Sequence, residues 1–347
     1  MRVIVLDKPF EILGLDVGNG YIKSASASGE PVIESVYAQF DGGEHIFHDQ
    51  TEPINVYVPK KYGNERYVLG QHDVDKYGTG GALNTIDMKG RLERRTYHIL
   101  VQMAMIHAMP QSKDAKLMVI TGVPEGEKIA EAQKSYHAMI NGVNVIEKNG
   151  ESFVRTVEDI KVLHQPSGLL FDLHLDQDGY VRDEAIVRGK TLVVDIGEGT
   201  TDVSVFHDLR KVLGFRITIG ISDVSRRILE QIGNDIKAPI TLADMQRTVR
   251  SHDKTLVAGR EQVDITSLVT LASQSVIDRI FAQIQSRIPD RHEFSHIVFG
   301  GGGAGFFSTP LLDWEKDAVI VPDQTAIARG FRKYGLAVAR REGLIES

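Results

Sequence analysis

One segment, TLVVDIGEGTTDV at residues 191–203, constrains what this chain can fold into more than any other. A short apolar run rich in β-branched residues ends at the acid Asp195, and Gly197 and Gly199 follow in alternation. Glycines let backbone N–H groups approach a phosphate closely, and a neighbouring carboxylate suits a divalent metal. The segment therefore predicts a strand and a glycine turn that bind a nucleotide.

The same unit occurs earlier in the chain. Residues 12–17 predict a strand that ends in Asp16, the turn follows through Gly18 and Gly20, and residues 21–27 predict the returning strand of a hairpin. In the second copy, residues 202–207 predict the returning strand. A repeated strand, acid and glycine hairpin, each leading into helices, predicts two similar α/β lobes that face each other.

A third glycine segment, GGGGAG at residues 300–305, follows a predicted strand at residues 296–299. A nucleoside triphosphate needs two turns to hold its phosphates and a flat glycine run along its adenosine. Lys23 offers a charge to the β- or γ-phosphate, and Asp16 and Asp195 are predicted to hold Mg²⁺ through waters.

Composition narrows the class of protein. A chain of 347 residues with 42% hydrophobic and 25% charged content predicts a globular protein of two domains. The net charge of −7 argues against a broad basic nucleic-acid surface, and the absence of cysteine excludes disulfides and thiolate catalysis. No apolar run is long enough for a membrane span, and residues 1–18 predict a strand in place of a signal peptide. We therefore expect a cytoplasmic protein.

The remaining pattern suggests how the domains divide. Helical periodicity is found at residues 94–109, 125–140, 169–175, 222–232, 241–250, 262–288 and 324–340. Residues 152–157 and 159–163 predict two strands, and residues 165–168 a closing turn. We expect domain I over 1–175, with an inserted subdomain at about 31–105, domain II over 176–322, with a helical subdomain at about 222–290, and a helix over 323–347 that returns to domain I.

These motifs resemble those of the actin, heat-shock chaperone and sugar-kinase superfamily, and most resemble the bacterial plasmid-segregation actins of the ParM or StbA type. The resemblance implies an actin-like, ribonuclease H-like α/β fold of two lobes around a nucleotide cleft that binds ATP (or GTP) with Mg²⁺. It places three loops in the site: a first phosphate loop of Asp16, Gly18, Asn19, Gly20, Tyr21 and Lys23, a second of Asp195, Gly197, Glu198, Gly199, Thr200, Thr201 and Asp202, and an adenosine loop of Gly301, Gly302 and Gly303.

The resemblance also implies two catalytic residues. Gln165 falls where the family orients the attacking water, and Asp195 holds the metal with a possible indirect role as base. Three alternatives stay open from the residues themselves: Gln165 as a turn residue before Pro166, Asp202 as a hairpin residue that accepts backbone bonds, and Glu198 as a solvated turn carboxylate.

Other side chains suggest weaker sites. The cluster Arg91, Arg94 and Arg95 is typical of a solvated helix start, and Met103, Met105 and Met109 have core spacing. His45 and His48 lack a third metal ligand at suitable spacing. Arg247 and Arg250 lie on a helix that passes near the nucleotide base in this superfamily.

The function implied is an ATPase that forms nucleotide-dependent filaments, for plasmid or DNA segregation, through self-association and a DNA-binding adaptor protein. Direct nucleic-acid binding and membrane association are not expected. The alternatives are a sugar-type kinase, for which no catalytic aspartate is evident after Pro124 or in the 160s, and a non-hydrolysing scaffold. A chaperone is disfavoured because no substrate-binding region follows residue 347.

Overall fold

The computed structural model describes residues 10–42, 54–84, 90–232 and 238–346. His45, His48 and the first nine residues lie outside these ranges. The chain forms two compact units: unit 1 contains residues up to Asp183 and from Thr325 onward, and unit 2 contains Glu184–Gln324.

Unit 1 is built on one mixed sheet. Its strands are β1 (Phe10–Val17), β2 (Tyr21–Ala25), β3 (Val32–Glu34), β4 (Val36–Gln39), β5 (Val56–Pro59), β6 (Tyr67–Leu69), β7 (Thr79–Asn84), β8 (Asp114–Val123), β9 (Gly142–Lys148) and β10 (Glu151–His164). They lie in the order β3-β2-β1-β8-β10-β9-β5-β6-β4-β7. The helices are α1 (Gln71–Tyr77), α2 (Arg95–His107), α3 (Ile129–Ile140), α4 (Gln165–His174) and the last of the chain, α10 (Ala326–Arg341).

Unit 2 has a smaller sheet and more helix. Its strands are β11 (Lys190–Ile196), β12 (Thr201–His207), β13 (Arg210–Ile217), β14 (Thr255–Ala258), β15 (Glu261–Asp264), β16 (His296–Gly300) and β17 (Val319–Ile320). Five of them form a sheet in the order β13-β12-β11-β16-β17, and β14 pairs with β15. The helices are α5 (Ser222–Ile232), α6 (Leu242–Arg250), α7 (Thr266–Arg287), α8 (Gly302–Phe306) and α9 (Ser308–Trp314).

The two sheets repeat one arrangement, which confirms the duplicated α/β organisation expected from the sequence. The order β3-β2-β1-β8-β10 in unit 1 matches β13-β12-β11-β16-β17 in unit 2. In each copy the first three strands pair antiparallel and the next two pairings are parallel. Asp16 on β1 and Asp195 on β11 each belong to the last residue pair but one before the hairpin turn, so the two acids have equivalent places.

Helices α4 and α10 are packed with almost no space between their backbones. A Cβ at Gly330 would lie 1.8 Å from the Gly168 carbonyl oxygen, and one at Gly168 would lie 2.6 Å from the Ile327 carbonyl oxygen. Asp172 on α4 accepts hydrogen bonds from Arg329 (2.8 Å) and from the buried Lys333 (2.7 Å) on α10. These contacts fix α4, whose first residue is Gln165.

Several predicted elements differ from the structure. The two strands expected at 152–157 and 159–163 are one strand, β10, with an irregularity between Val157 and Asp159. The predicted closing turn at 165–168 is the first turn of α4, because Pro166 is accepted near a helix start where no N–H bond is lost.

Other boundaries also shift. The start of the pattern at 262–288 is the strand β15, and the helix expected from residue 125 begins only at Ile129. The helix predicted at 241–250 is confirmed as α6, and the side chains of Thr241 and Asp244 form a reciprocal capping box at its start.

Within the described ranges, no helix combines the length and apolar character that a membrane crossing requires.

Candidate functional site

The first glycine turn joins β1 to β2 and carries a buried ion pair. Asp16 is 1% exposed, and its register partner on β2 is Lys23. Because paired residues of an antiparallel ladder project from the same face, the Lys23 ammonium reaches the Asp16 carboxylate at 3.0 Å. The spacing of seven residues between acid and lysine thus has a structural cause.

Gln165 meets the same carboxylate from the start of α4. Its Nε2 donates to Asp16 Oδ1 at 2.6 Å, across 149 residues of sequence, and the residue is 8% exposed. A Cβ at Gly122 would lie 3.0 Å from the Gln165 side chain, so glycine at the end of β8 leaves room for it. The structure therefore brings together three predicted site residues of unit 1: Asp16, Lys23 and Gln165.

The backbone of the first turn is oriented by donors behind it. Ser35 donates from Oγ to the Gly18 carbonyl at 2.7 Å and from its backbone N–H to the Gly20 carbonyl at 3.0 Å. In a trans peptide the N–H points opposite to its C=O, so the Asn19 N–H points away from Ser35. The turn presents backbone N–H to the opposite side, which is the arrangement that binds anions.

Arg91 completes the support of this turn. Its Nη1 lies 3.3 Å from both the Val17 carbonyl oxygen and Asn19 Oδ1. The residue is 7% exposed, and its guanidinium carbon lies 5.4 Å from the centre of the Tyr97 ring. The interpretation of Arg91 as a solvated residue is wrong, whereas Arg94 and Arg95 are exposed as expected. Arg91 alone reaches inward, because it lies in a tight turn ahead of α2.

Two buried tyrosines, Tyr97 and Tyr136, lie next to Arg91. The Tyr97 and Tyr136 hydroxyls are 2.5 Å apart, and the Thr121 hydroxyl lies 3.4 Å from that of Tyr136. Burial raises the pKa of Tyr97 well above its ordinary value, and burial also raises the pKa of Tyr136. Both phenols stay neutral at physiological pH, so they give Arg91 no negative counter-charge.

The second glycine turn joins β11 to β12 and is tied to α5 by its backbone. The Gly197 N–H donates to the Thr200 carbonyl at 2.8 Å, which closes the turn. The Gly197 and Glu198 carbonyls accept from Ile221 and Ser222 at 3.1 and 2.8 Å. A Cβ at Gly220 would lie 2.6 Å from the Glu198 carbonyl oxygen, so only glycine permits this approach.

The Glu198 side chain joins the second turn to α6. It accepts from Gln246 Nε2 at 3.1 Å and forms an ion pair with Arg250. The alternative that Glu198 is a solvated turn carboxylate is therefore wrong. Arg247, by contrast, is exposed and pairs with Asp244 on its own helix.

Asp202 and Thr201 are engaged inside unit 2. Asp202 is buried opposite Asp195 in the β11–β12 ladder, and Arg216 Nε on β13 donates to its Oδ1 at 3.0 Å. The fully buried Thr201 donates its hydroxyl to the Ile219 carbonyl at 2.9 Å. Thr200, Gly197 and Gly199 lie at the partly exposed rim of the turn.

The third glycine segment lies beside Asp195. Strands β11 and β16 are parallel neighbours that pair Asp195 with Gly300, so both glycine segments leave the same end of the sheet. Gly301 has φ +80°, and a Cβ there would lie 2.2 Å from Asp195 Oδ1. A Cβ at Gly303 would lie 2.4 Å from Ile196 Cγ2. The run is not a flat strip, because Gly302 and Gly303 begin the short helix α8.

A carboxylate missed from sequence follows β8 directly. Glu125 is buried immediately after Pro124, and its Oε2 lies 3.8 Å from His164 Nδ1. A further missed residue is Ser35, and the support that Arg91 gives to the first turn is not evident from the sequence either. No periodicity indicates them, because each acts through backbone groups distant in sequence.

Family models match both halves of the chain. The model described as the actin like proteins N terminal domain matches residues 14–168. The model described as the archaeal actin homologue MreB-like, C-terminal, matches residues 193–313. Comparison with curated protein sequences gives no match.

Solved structures share the fold over nearly the whole chain. The apo psk41 ParM protein has 21% identity and a TM-score of 0.76, with 96% of this chain and 98% of that chain covered. Ta0583, an archaeal actin homolog, in complex with ADP has 19% identity and a TM-score of 0.75, with 93% and 98% covered. A 15-stranded ParM filament from Clostridium botulinum has 14% identity and a TM-score of 0.73, with 94% and 99% covered. The chain belongs to the actin-like protein family and has the α/β fold of the ParM and archaeal actin homologues.

Proposed function

We propose that this protein is an ATPase that binds ATP with Mg²⁺ and forms filaments in a nucleotide-dependent way. One observation carries the proposal: a buried acid followed by a glycine turn occupies the equivalent place in two sheets that share a five-strand arrangement. The Ta0583 complex with ADP and the ParM filament, which share the fold, support both parts of it.

The residues at these turns fit a magnesium nucleotide. Across the described ranges, no group of three or more His, Asp or Glu side chains is placed to hold a metal. Mg²⁺ does not need one, since it keeps several waters and is bound through one or two carboxylates together with substrate phosphates. Asp16 and Asp195 would supply those carboxylates. When bound, Mg²⁺ would offset the charge that develops on the transferred phosphoryl group.

The side chains around the phosphates would divide the remaining work. Lys23 supplies a positive charge beside the first turn, and the Asn19 N–H, which points away from Ser35, would bind a phosphate oxygen. A Cβ at Gly199 would meet nothing within 4 Å, so the second turn has open space for a ligand at this point. Gln165 is held by Asp16 and would orient the attacking water through its Oε1. An amide cannot accept a proton at neutral pH, so its role is positioning.

Filament formation would use a head-to-tail contact between copies, since such an interface extends without closing. We further propose that the filament acts in the cytoplasm and segregates a plasmid or other DNA. The net charge of −7 favours attachment through a DNA-binding adaptor protein over direct contact with DNA.

The test is sedimentation with ATP, with ADP and without nucleotide, run beside phosphate release. We expect nucleotide-dependent pelleting and steady release of phosphate from the wild type. Asp195→Asn should abolish phosphate release, because a neutral amide of nearly the same size replaces the carboxylate that would bind Mg²⁺. Asp313→Asn is the control, since Asp313 is an exposed carboxylate on α9 of the same unit.

Other outcomes point elsewhere. Phosphate transfer that requires a sugar, without pelleting, would establish the kinase alternative and would direct attention to Glu125. Pelleting without any nucleotide turnover would establish the scaffold alternative.

A further inference from the structure

Arg91 is a buried cation with an incomplete set of partners. Its Nε and Nη2 are buried and have no hydrogen-bond partner among the described residues. Among the guanidinium nitrogens, Nη1 alone makes hydrogen bonds to described residues, namely the Val17 carbonyl and the Asn19 side chain of the first turn. The guanidinium also lies 5.4 Å from the centre of the Tyr97 ring, which carries no net charge. A buried guanidinium is ordinarily paired with a carboxylate, because removing its charge from water is costly.

The surroundings supply positive charge in excess. Asp16, the acid of the turn, is already paired with Lys23 at 3.0 Å. No described carboxylate lies within ion-pair distance of Arg91, although Glu127 and Asp16 interact with it at longer range. The neighbouring phenols of Tyr97 and Tyr136 have raised pKa values and are neutral. Asp16, Lys23 and Arg91 at the first turn therefore carry two positive charges and one negative charge.

We propose that Arg91 is a positioning residue for the phosphates, whose charge is compensated when a nucleoside polyphosphate occupies the first glycine turn. The inference rests on the proposed function. Arg91 is 7% exposed, so we assign it no direct contact with the ligand. It acts by holding the Asn19 side chain and the Val17 carbonyl and by adding its charge to the turn.

A charge effect differs from a structural one in its response to the charge-retaining variant. AMP lacks the phosphates that the first turn would bind, so a distorted turn and a missing charge both weaken ATP more than AMP. Only a charge effect is largely restored in Arg91→Lys, which keeps the charge but not the planar hydrogen-bonding fork. The quantity to measure is therefore the ratio of the Kd of AMP to the Kd of ATP, compared between Arg91→Gln and Arg91→Lys.

The experiment is calorimetric titration of the full chain with AMP, ADP and ATP. Arg91→Gln removes the charge and keeps an amide donor, and Arg91→Lys keeps the charge without the planar fork. At an effective dielectric constant near 20, we expect Arg91→Gln to lower the affinity for ATP by roughly 10- to 100-fold and that for AMP by about threefold or less. Arg91→Lys should retain most of the wild-type ratio. Arg94→Met, which changes a nearby exposed arginine, should retain all of it.

The outcomes separate this inference from the proposed function. If the wild type binds no nucleotide, the proposed function fails and the inference fails with it. If the wild type prefers ATP and Arg91→Gln shows the same ratio, Arg91 has no electrostatic role and only the inference is overturned. If Arg91→Gln does not fold, Arg91→Lys is compared with the wild type. A much smaller ratio of the Kd of AMP to the Kd of ATP in Arg91→Lys, which keeps the positive charge, would also contradict the proposal.

Discussion

The contact between α4 and α10 gives a sharp prediction, because it depends on a single missing methyl group. In Gly330→Ala the new Cβ would lie 1.8 Å from the Gly168 carbonyl oxygen and 2.8 Å from the Asp172 nitrogen. Both are backbone atoms, so no rotamer change relieves the overlap. The helices must separate by roughly 1.5 Å to restore van der Waals contact.

The magnitude follows from opposing terms. Alanine favours the helix by about 1 kcal/mol over glycine. Overpacking against rigid backbone costs about 3 kcal/mol, the upper end of the usual range, and strain on the buried bonds from Lys333 to Asp172 adds about 1 kcal/mol. We expect a net loss of about 3 kcal/mol in the free energy of unfolding of unit 1.

A matched control lies five residues further along the same helix. In Gly335→Ala the new Cβ would meet Ile12 Cγ2 at 2.5 Å and Ile120 Cγ1 at 2.7 Å. These are side-chain atoms that yield by small rotations, and the gain in helix propensity is the same. We expect a loss of about 1 kcal/mol or less for this variant.

The chain provides a separate probe for each unit. All ten tyrosines lie in unit 1, and the one tryptophan, Trp314, lies in unit 2. Thermal unfolding followed by tyrosine absorbance should therefore show the Tm of unit 1 lower by roughly 6–12 °C in Gly330→Ala than in the wild type. Trp314 fluorescence records whether unit 2 unfolds in the same transition or separately. Equal tyrosine transitions for Gly330→Ala and Gly335→Ala would show that the two helix backbones are not in contact as described.

Three further predictions concern other parts of the molecule. Arg155→Met should destabilise unit 1 by about 3 kcal/mol, because the fully buried Arg155 donates to the Met105, Val154 and Met109 carbonyls, and tyrosine absorbance in urea measures the loss. A variant as stable as wild type would show that water or other donors replace it. Gly301→Ala should destabilise unit 2 by about 2 kcal/mol and displace the Asp195 side chain. Gly259 also has a positive φ, but a Cβ there would not contact a carboxylate, so Gly259→Ala should show the cost of backbone strain alone. Trp314 fluorescence measures the unfolding of unit 2 in both variants. Burial, with Lys148 second, lowers the pKa of His107, so the folded state binds fewer protons than the unfolded chain and stability falls as pH drops below about 6.5. His107→Gln should reduce this acid loss relative to the exposed His292→Gln, and equal pH profiles would contradict the assignment.

Much of the α/β organisation could be predicted because the signals are local. Hairpins of strand, acid and glycine appear at Asp16 and Asp195 in the linear pattern, and the structure shows both at equivalent places. Helix boundaries are harder to predict, as at Gln165: Pro166 is compatible with a turn and with a helix start, and the close packing of Gly168 against α10 accompanies the helix.

The sequence by itself determined the repeated unit, its acids and the glycines of its turns, since each depends on residues within one hairpin. Only the tertiary structure decided what those turns contact. Gln165 reaches Asp16 across 149 residues, Arg91 supports Asn19 from an insertion whose local pattern suggested a solvated helix start, and Glu198 pairs with Arg250 across 52. Burial and partners depend on which elements pack together, and no local periodicity encodes that choice.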